Sequence, residues 1–256
     1  MIFHYRETPI YYERQGEGPT VVLIHGFLES TTMWHPFLPA LSKRRNVVCI
    51  DLPGHGQSGC LEETHTMELM ADVVISLLES LNIESASFVG HSMGGYVALA
   101  IAEFSPEIIN TLALMNSTTE ADSEERKRNR DRALEALDEN PNLFLGLAIG
   151  NLFSPENRIR YTQEISRLKE EAMQFPLVGI KAALKGMKLR KDRTEVLREL
   201  SSDKIMISAT ADPIVPFKRS EELANSTESR LISLPGGHMS HMEAHGEIVK
   251  ILHFIE

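Results

Sequence analysis

The sequence predicts an α/β protein with a mostly parallel central sheet flanked by helices on both faces. Short runs of β-branched and apolar residues, typical of strands buried on both faces, alternate with longer segments of helical periodicity. This alternation implies right-handed crossovers between parallel strands. The length of 256 residues also suits one large core of three layers.

Eight strands are predicted. Alternating apolar and polar residues around Glu7-Thr8 indicate an antiparallel hairpin at a sheet edge, which Gly16 and Gly18 end. The later runs are continuous and apolar, as in buried parallel strands. The predicted strands are residues 2–6, 9–14, 20–26, 46–51, 85–89, 111–116, 204–209 and 230–234.

Eight helices are predicted from apolar residues at helical spacing. The clearest is residues 64–81, where Met, Val and Leu share one stripe. Ser154-Pro155 is a favourable helix start, and Ser105 ends another helix because a residue before proline disfavours the helical conformation. The predicted helices are residues 34–41, 64–81, 94–105, 123–138, 154–173, 176–189, 217–224 and 240–254.

The alternation of strands and helices stops at Asn116. Residues 117–200 contain helical patterns but no convincing strand. We therefore predict a discontinuous core, residues 1–116 and 201–256, with a helical insertion, residues 117–200, after the sixth strand. Basic side chains of the insertion alternate with acidic ones, which favours a solvated helix face over an anion site. These basic residues are Arg126, Lys127, Arg128, Arg130 and Arg132.

The composition makes several partners and locations poor candidates. Lys and Arg number 26 against 36 Asp and Glu, so the formal net charge of −10 disfavours nucleic acid and anionic membranes. Cys49 and Cys60 form no disulfide framework or metal motif and fit a reducing compartment. No apolar run approaches the roughly 18 residues of a membrane span, and the first residues lack a signal peptide's apolar block. We expect a cytoplasmic protein.

The turn Gly90-His91-Ser92-Met93-Gly94 indicates where chemistry takes place. It joins a predicted strand to a predicted helix so tightly that Ser92 should have strained backbone geometry and an exposed hydroxyl. The pattern G-x-S-x-G is weak by itself, and Ser92 could be an ordinary helix N-cap. The flanking strand and helix, together with matching partners downstream, favour a nucleophile.

A nucleophilic serine needs a base and a group that orients the base, because its hydroxyl is a very weak acid. Both should lie in loops after strands, since the carboxyl ends of parallel strands meet on one side of the sheet. Asp212 follows the strand at 204–209, and His238 follows the strand at 230–234. The order Ser, Asp, His is one of the known orders of a hydrolase triad.

The chain resembles the α/β-hydrolase superfamily, and within it the capped serine hydrolases similar to esterases and lipases. The resemblance covers the chain outside residues 117–200. It rests on HGF at 25–27, DLPGHGQS at 51–58, GHSMGG at 90–95, ADPIVP at 211–216 and GGHMSHME at 236–243. These motifs are specific for an α/β-hydrolase fold with a helical cap after the sixth strand, and much less specific for a substrate.

The resemblance implies Ser92 as the nucleophile, His238 as the general base and then acid, and Asp212 as the carboxylate that orients the imidazole. It implies an oxyanion hole formed by the backbone N–H groups of Phe27 and Met93. Some relatives carry the acid after the sixth strand, where this chain has Asn116, and this difference favours Asp212. No cofactor is expected.

Other interpretations of these residues remain open. Asp212 could simply begin a turn. The spacing of His238, His241 and His245 could suggest metal ligands, although no metal is expected because no carboxylate-rich or Cys motif accompanies them. Asp51 is a rival acid in a loop that we interpret as structural.

A small-molecule acyl substrate is the expected partner. Ser92 argues against the dehalogenase and epoxide hydrolase branches, which resemble this chain but have Asp at the elbow. We expect cleavage of small to medium esters, lactones or thioesters through an acyl-enzyme. A carbon-carbon bond hydrolase or lyase with the same triad, and a non-enzymatic ligand sensor, remain alternatives. Apolar residues of the insertion are expected to close an apolar pocket over Ser92, namely Leu143, Phe144, Leu145, Leu147, Ile149, Leu152 and Phe153.

Overall fold

The structure is a computed structural model that describes residues 1–255, in which eight strands form one sheet. The strands are β1 (Ile2–Tyr5), β2 (Thr8–Gln15), β3 (Thr20–Ile24), β4 (Asn46–Ile50), β5 (Ala86–His91), β6 (Ile109–Met115), β7 (Asp203–Ala209) and β8 (Arg230–Leu234). Their order is β1-β2-β4-β3-β5-β6-β7-β8. The hairpin β1-β2 is antiparallel and β2 runs antiparallel to β4, whereas every other pair is parallel. The predicted mostly parallel sheet with an edge hairpin is confirmed.

Twelve α-helices lie among residues 1–255. They are α1 (Leu38–Leu41), α2 (Met67–Ser80), α3 (Met93–Phe104), α4 (Glu124–Glu139), α5 (Pro141–Gly150), α6 (Asn157–Arg160), α7 (Thr162–Ala172), α8 (Leu177–Leu189), α9 (Thr194–Glu199), α10 (Phe217–Ser226), α11 (Ser240–Glu243) and α12 (His245–His253). Short 3-10 turns occupy residues 31–34 and 106–108. No described helix combines the length and the apolar composition that a membrane crossing requires.

The sheet is covered on both faces. One face packs against α2, α3 and several helices between β6 and β7, through buried residues such as Phe88 and Val97. The other face packs against α12 and the segment that contains Trp34 and Phe37. Alternate residues of each strand point to opposite faces, so Val22 belongs to the first core and Leu23 to the second. This is the predicted three-layer arrangement.

Three predicted helices are interrupted in the structure. Within the segment 34–41, Trp34 ends a 3-10 turn and only α1 is helical, because Pro39 lacks the amide hydrogen that would donate to the His35 carbonyl in one continuous helix. The segment 240–254 is divided at Ala244, which has φ −130° and ψ 39°. Nothing in the local sequence explains that second break.

The prediction of one helix over residues 154–173 is also wrong, for a tertiary reason. Tyr161 has non-helical ψ of 27° between α6 and α7, and its hydroxyl donates to the Met242 carbonyl at 3.1 Å. Ser154 caps no helix, because its hydroxyl donates to Glu243 at 3.0 Å. Contacts with the segment after β8 therefore override the local helix signal here.

Six helices, α4 to α9, lie between β6 and β7 in the chain. These two strands are nevertheless parallel neighbours, paired from Thr111 with Asp203 to Met115 with Ile207. The chain thus leaves the sheet after β6 and returns to the adjacent position. Two of these helices, α5 and α9, were not predicted, although the helical character of the segment as a whole was.

Candidate active site

Ser92 lies alone between strand β5 and helix α3. Its φ of 50° and ψ of −112° are unusual for a residue with a side chain, as expected for a strained elbow. A Cβ atom on Gly90 would lie 2.4 Å from the Gly94 carbonyl oxygen, and one on Gly94 would lie 2.3 Å from the Ile24 carbonyl oxygen. Only glycine fits at these two positions, which is why the turn can be so short.

The three residues predicted from separate motifs lie in one hydrogen-bonded row. The Ser92 hydroxyl lies 2.8 Å from Nε2 of His238, and Nδ1 of His238 lies 2.8 Å from Oδ2 of Asp212. The side chains of His238 and Asp212 are 3% and 1% exposed, whereas Ser92 is half-buried. With Nδ1–H donating to Asp212, Nε2 is free to accept the serine proton.

Asp212 begins a turn and also orients His238, so both interpretations of this residue hold. Its Oδ1 accepts the backbone N–H groups of Ile214 at 2.7 Å and Val215 at 3.0 Å. Its Oδ2 accepts the Asn116 side-chain amide at 2.8 Å. Burial alone would raise the pKa of Asp212, but His238 and these donors together hold it below its ordinary value. Asp212 is thus a fixed carboxylate.

The resemblance implied the backbone N–H groups of Phe27 and Met93 as oxyanion donors. Within residues 1–255, the N–H group of neither residue donates a hydrogen bond. Met93 is the first residue of α3, where the helix dipole favours negative charge. Phe27 lines the same cavity as Ser92. Unpaired N–H groups of this kind are chemically able to stabilise an oxyanion.

A cavity of about 170 Å³ is lined by Ser92 and His238. Its other walls come from the loop after β3 and from the helices between β6 and β7. The lining residues are Phe27, Leu28, Glu29, His91, Ser92, Tyr96, Arg126, Arg130, Ala148, Leu152, Met187, Ile214 and His238.

The expected apolar lining is only partly correct. Of the seven apolar residues predicted, only Leu152 lines the cavity. Leu143 and Leu147 are each 59% exposed, and Leu145 and Phe153 are buried in the core. The local sequence could not give this orientation, because α5 is apolar on nearly all sides and has no clear buried stripe.

The expectation of a solvated basic face is wrong for two arginines. Arg126 and Arg130 line the cavity, whereas Arg128 is exposed. The missed signal is helical spacing, because Arg126 and Arg130 are four residues apart on the face that also buries Leu137. The cavity wall therefore carries positive charge that the sequence interpretation assigned to solvent.

Sequence reasoning also missed a buried ion pair beside His238. Nδ1 of His91 lies 2.7 Å from Oε2 of Glu29, and Nε2 of His91 lies 3.0 Å from the His238 carbonyl oxygen. Both partners are acceptors, so both ring nitrogens of His91 carry hydrogen. Burial alone would lower the pKa of His91, but Glu29 raises it, and the pKa of Glu29 falls to about 2 despite burial.

Among residues 1–255, one group has the spacing of a metal site: Glu29, His91 and His241. The predicted alternative of His238, His241 and His245 is not assembled, because His245 stacks on Phe37 with ring centroids 4.8 Å apart. In the Glu29 group, Oε2 of the carboxylate is hydrogen-bonded to His91, and Glu29 raises the pKa of His91, which favours the protonated ring that cannot bind a metal. Among the described residues, Oε1 of Glu29 and both ring nitrogens of His241 have no hydrogen-bond partner. We therefore interpret the group as an ion pair and assign it no metal.

The rival acid Asp51 has a structural role, as expected. Its Oδ1 accepts the Thr31 N–H at 2.7 Å and its Oδ2 accepts the Gln57 N–H at 2.8 Å. Nearby, Nε2 of His25 accepts the Leu52 N–H at 2.9 Å. These bonds order the loops after β3 and β4.

Buried neutral histidines should make the fold sensitive to acid. Burial lowers the pKa of His55 to about 3 and that of His241 to about 4. Between pH about 6.5 and 4 the unfolded chain protonates both imidazoles while the folded protein does not, so stability falls as the pH falls. We expect a loss of about 2 kcal/mol per histidine at pH 5 relative to pH 8, measured as the free energy of unfolding in urea.

Below neutral pH, the pair of His91 and Glu29 has the opposite effect on the stability of the fold. Because its pKa is raised, His91 adds stability that is fully present below pH about 6.5 and is lost as the pH rises. One such group does not offset two buried neutral histidines. In a His241→Gln variant the change in unfolding free energy between pH 8 and pH 5 should be smaller. Equal stability at both values in the unaltered protein would contradict the prediction.

Residues 19–154 match the family described as alpha/beta hydrolase fold. A thermophilic esterase from Thermogutta terrifontis has a structure with a TM-score of 0.90 and 29% identity, covering 96% of this chain and 92% of that chain.

Two curated relatives are matched over only part of their own length. The dihydrolipoyllysine-residue acetyltransferase component of the acetoin cleaving system of Pseudomonas putida is 29% identical over 248 residues, or 91% of this chain and 62% of the relative. The (E)-2-((N-methylformamido)methylene)succinate hydrolase of Acinetobacter baylyi is 33% identical over 106 residues, or 41% of this chain and 40% of the relative. These matches thus span less than two thirds of either relative. Because the family matches residues 19–154, more than half of the chain, the chain belongs to the α/β-hydrolase fold family.

Proposed function

We propose that this protein is a serine hydrolase that cleaves small carboxylic esters through an acyl-enzyme intermediate. The observation that carries the proposal is the unbroken row of hydrogen bonds from Ser92 through His238 to Asp212. Family membership supports an enzyme of the α/β-hydrolase type, and the esterase similarity supports this substrate class.

The geometry supports a two-step reaction. Ser92 Oγ attacks the carbonyl carbon while its proton moves to Nε2 of His238. The oxyanion that forms accepts hydrogen bonds from the N–H groups of Phe27 and Met93. The bond to the leaving oxygen then breaks as His238 returns the proton to the departing alcohol. Water repeats the sequence on the acyl-enzyme, releasing the carboxylic acid and restoring Ser92.

We further propose that residues 117–200 act as a cap over the site. Arg126, Ala148, Leu152 and Met187 come from this segment, and all of them line the cavity that contains Ser92. The volume of about 170 Å³ is below the ~300–1,000 Å³ common for drug-sized ligands. Short acyl groups are therefore the expected substrates.

Labelling with a fluorophosphonate probe tests the nucleophile directly. The probe should modify Ser92 alone, because this is the serine whose hydroxyl is hydrogen-bonded to the ring nitrogen of His238. The adduct is located by mass spectrometry of peptides. A series of p-nitrophenyl esters from acetate to decanoate should then show the highest kcat/KM at the short end. Labelling of a different serine, or an absence of labelling, would contradict the assignment.

A further inference from the structure

We infer that the cavity selects substrates that carry a free carboxylate, which Arg126 binds. This inference rests on the proposed ester hydrolysis and adds the substrate's second functional group. The cavity wall carries charged side chains, whereas the sequence predicted an apolar pocket.

Four ionic side chains line the cavity beside the triad histidine: Glu29, His91, Arg126 and Arg130. Glu29 and His91 neutralise each other across 2.7 Å. Arg130 forms an ion pair with Asp122, which is itself buried. Arg126 has no carboxylate partner within residues 1–255, so its charge is the one left uncompensated on this wall.

The contacts of Arg126 hold it in place without neutralising it. Its Nη2 donates to the carbonyl oxygen of Ile214, two residues beyond Asp212. An arginine has five N–H donors, so further donors remain for a ligand. The side chain is half-buried on α4. A guanidinium fixed at one end is suited to binding a carboxylate with two parallel hydrogen bonds.

The carboxylates on the outer side of Arg126 are already engaged by other arginines. Arg126 also lines a second cavity with Glu120 and Asp122. Glu120 binds Arg219 at 2.7 Å, and Asp122 binds both Arg190, at 2.5 Å, and Arg130. Asp122 serves two arginines, while Arg219 binds both Glu120 and Glu222. These three arginines and three carboxylates balance, so none of these carboxylates is left to compensate Arg126.

This local charge is opposite to that of the whole chain. With a net charge of −10, the protein as a whole repels anions. An anionic substrate would therefore gain affinity only from specific contacts inside the cavity. A partly desolvated guanidinium provides such a contact, because attraction between charges strengthens where water is excluded.

A matched pair of esters tests the inference. Mono-p-nitrophenyl glutarate carries a free carboxylate, and its methyl ester is the neutral counterpart of nearly the same shape. We expect the unaltered protein to prefer the acid by about tenfold or more in kcat/KM, and Arg126→Gln to remove this preference mainly through KM. Arg126→Lys should keep part of it. Arg128→Gln is the control, since Arg128 is exposed on the same helix.

Binding gives a second measurement that does not depend on turnover. The monomethyl ester of glutaric acid should bind a Ser92→Ala protein in calorimetry, and a Ser92→Ala/Arg126→Gln protein should bind it about tenfold more weakly or not at all. Equal loss of both p-nitrophenyl substrates in Arg126→Gln, or equal binding by the two proteins, would overturn the inference. If the neutral ester turns over without any preference for the acid, the carboxylate site is wrong while the ester hydrolysis stands.

Discussion

Replacing Ser92 by alanine is expected to lower kcat/KM for p-nitrophenyl esters by about 10⁴- to 10⁶-fold. Among residues 1–255, the Ser92 hydroxyl is the group hydrogen-bonded to Nε2 of His238, and the proposed oxyanion donors alone would give a small residual rate. Steady-state kinetics on p-nitrophenyl acetate measures the effect. Activity within tenfold of the unaltered protein would show that another group carries the reaction.

The loss should come from chemistry and not from unfolding. Alanine has the same Cβ as serine, so the positive φ at position 92 imposes no new strain. The hydrogen bonds of the Ser92 backbone, from its N–H to the Met115 carbonyl and from the Ser117 hydroxyl to its carbonyl, remain possible. We expect an unchanged circular dichroism spectrum and nearly the same Tm. Ser226→Ala, on α10, is a matched serine control that should keep full activity.

Replacing Asp212 by asparagine is expected to lower kcat by about 10⁴-fold. The asparagine amide fits the same volume, but it cannot stabilise the charged imidazole, and it favours the wrong tautomer of His238. The measurement is kcat across pH 6 to 9. A change of less than tenfold would mean that His238 is oriented by other contacts, such as the bond from His91 to its carbonyl oxygen.

A second substitution distinguishes lost charge from lost geometry. Asn116 lies at the end of β6 and its amide donates to Asp212 at 2.8 Å, while the Ser240 hydroxyl donates to its Oδ1. Adding Asn116→Asp to Asp212→Asn restores one carboxylate at the neighbouring strand end. We expect the double variant to regain part of the lost activity, whereas Asn116→Asp alone should not raise activity. No recovery would show that the carboxylate must lie after β7.

The strands could be predicted from the sequence because each is a short apolar run that ends in a turn. Predicted and observed bounds differ by at most two residues, as in β3, β5 and β6. The helices between β6 and β7 were harder to predict from the sequence. The apolar α5 has no periodicity to detect, and the break at Tyr161 depends on a contact with a segment far along the chain.

The site was predictable to the extent that its residues lie in local motifs. Ser92 follows from its elbow, and Asp212 and His238 follow from their places after strands. The pair of Glu29 and His91 had no such signal, because the two side chains are 62 residues apart and meet only in the folded protein. The sequence does not distinguish Arg126 from the neighbouring surface charges. Its place on the cavity wall depends on how α4 packs in the folded protein.

The helical segment between β6 and β7 contacts the loop of His238, and this contact limits which segments from related hydrolases could replace it. The His238 N–H donates to the Leu152 carbonyl oxygen at 2.9 Å, and Glu243 accepts hydrogen bonds from Ser154 and Asn157. A segment transplanted from a homologue between β6 and β7 would therefore need groups that make the same hydrogen bonds to His238 and Glu243. The segment that lines the cavity also holds the loop of His238 in position, so exchanging the whole segment changes substrate range and catalytic alignment at once. New specificities should therefore arise more readily by point substitutions on α4 than by exchange of the segment.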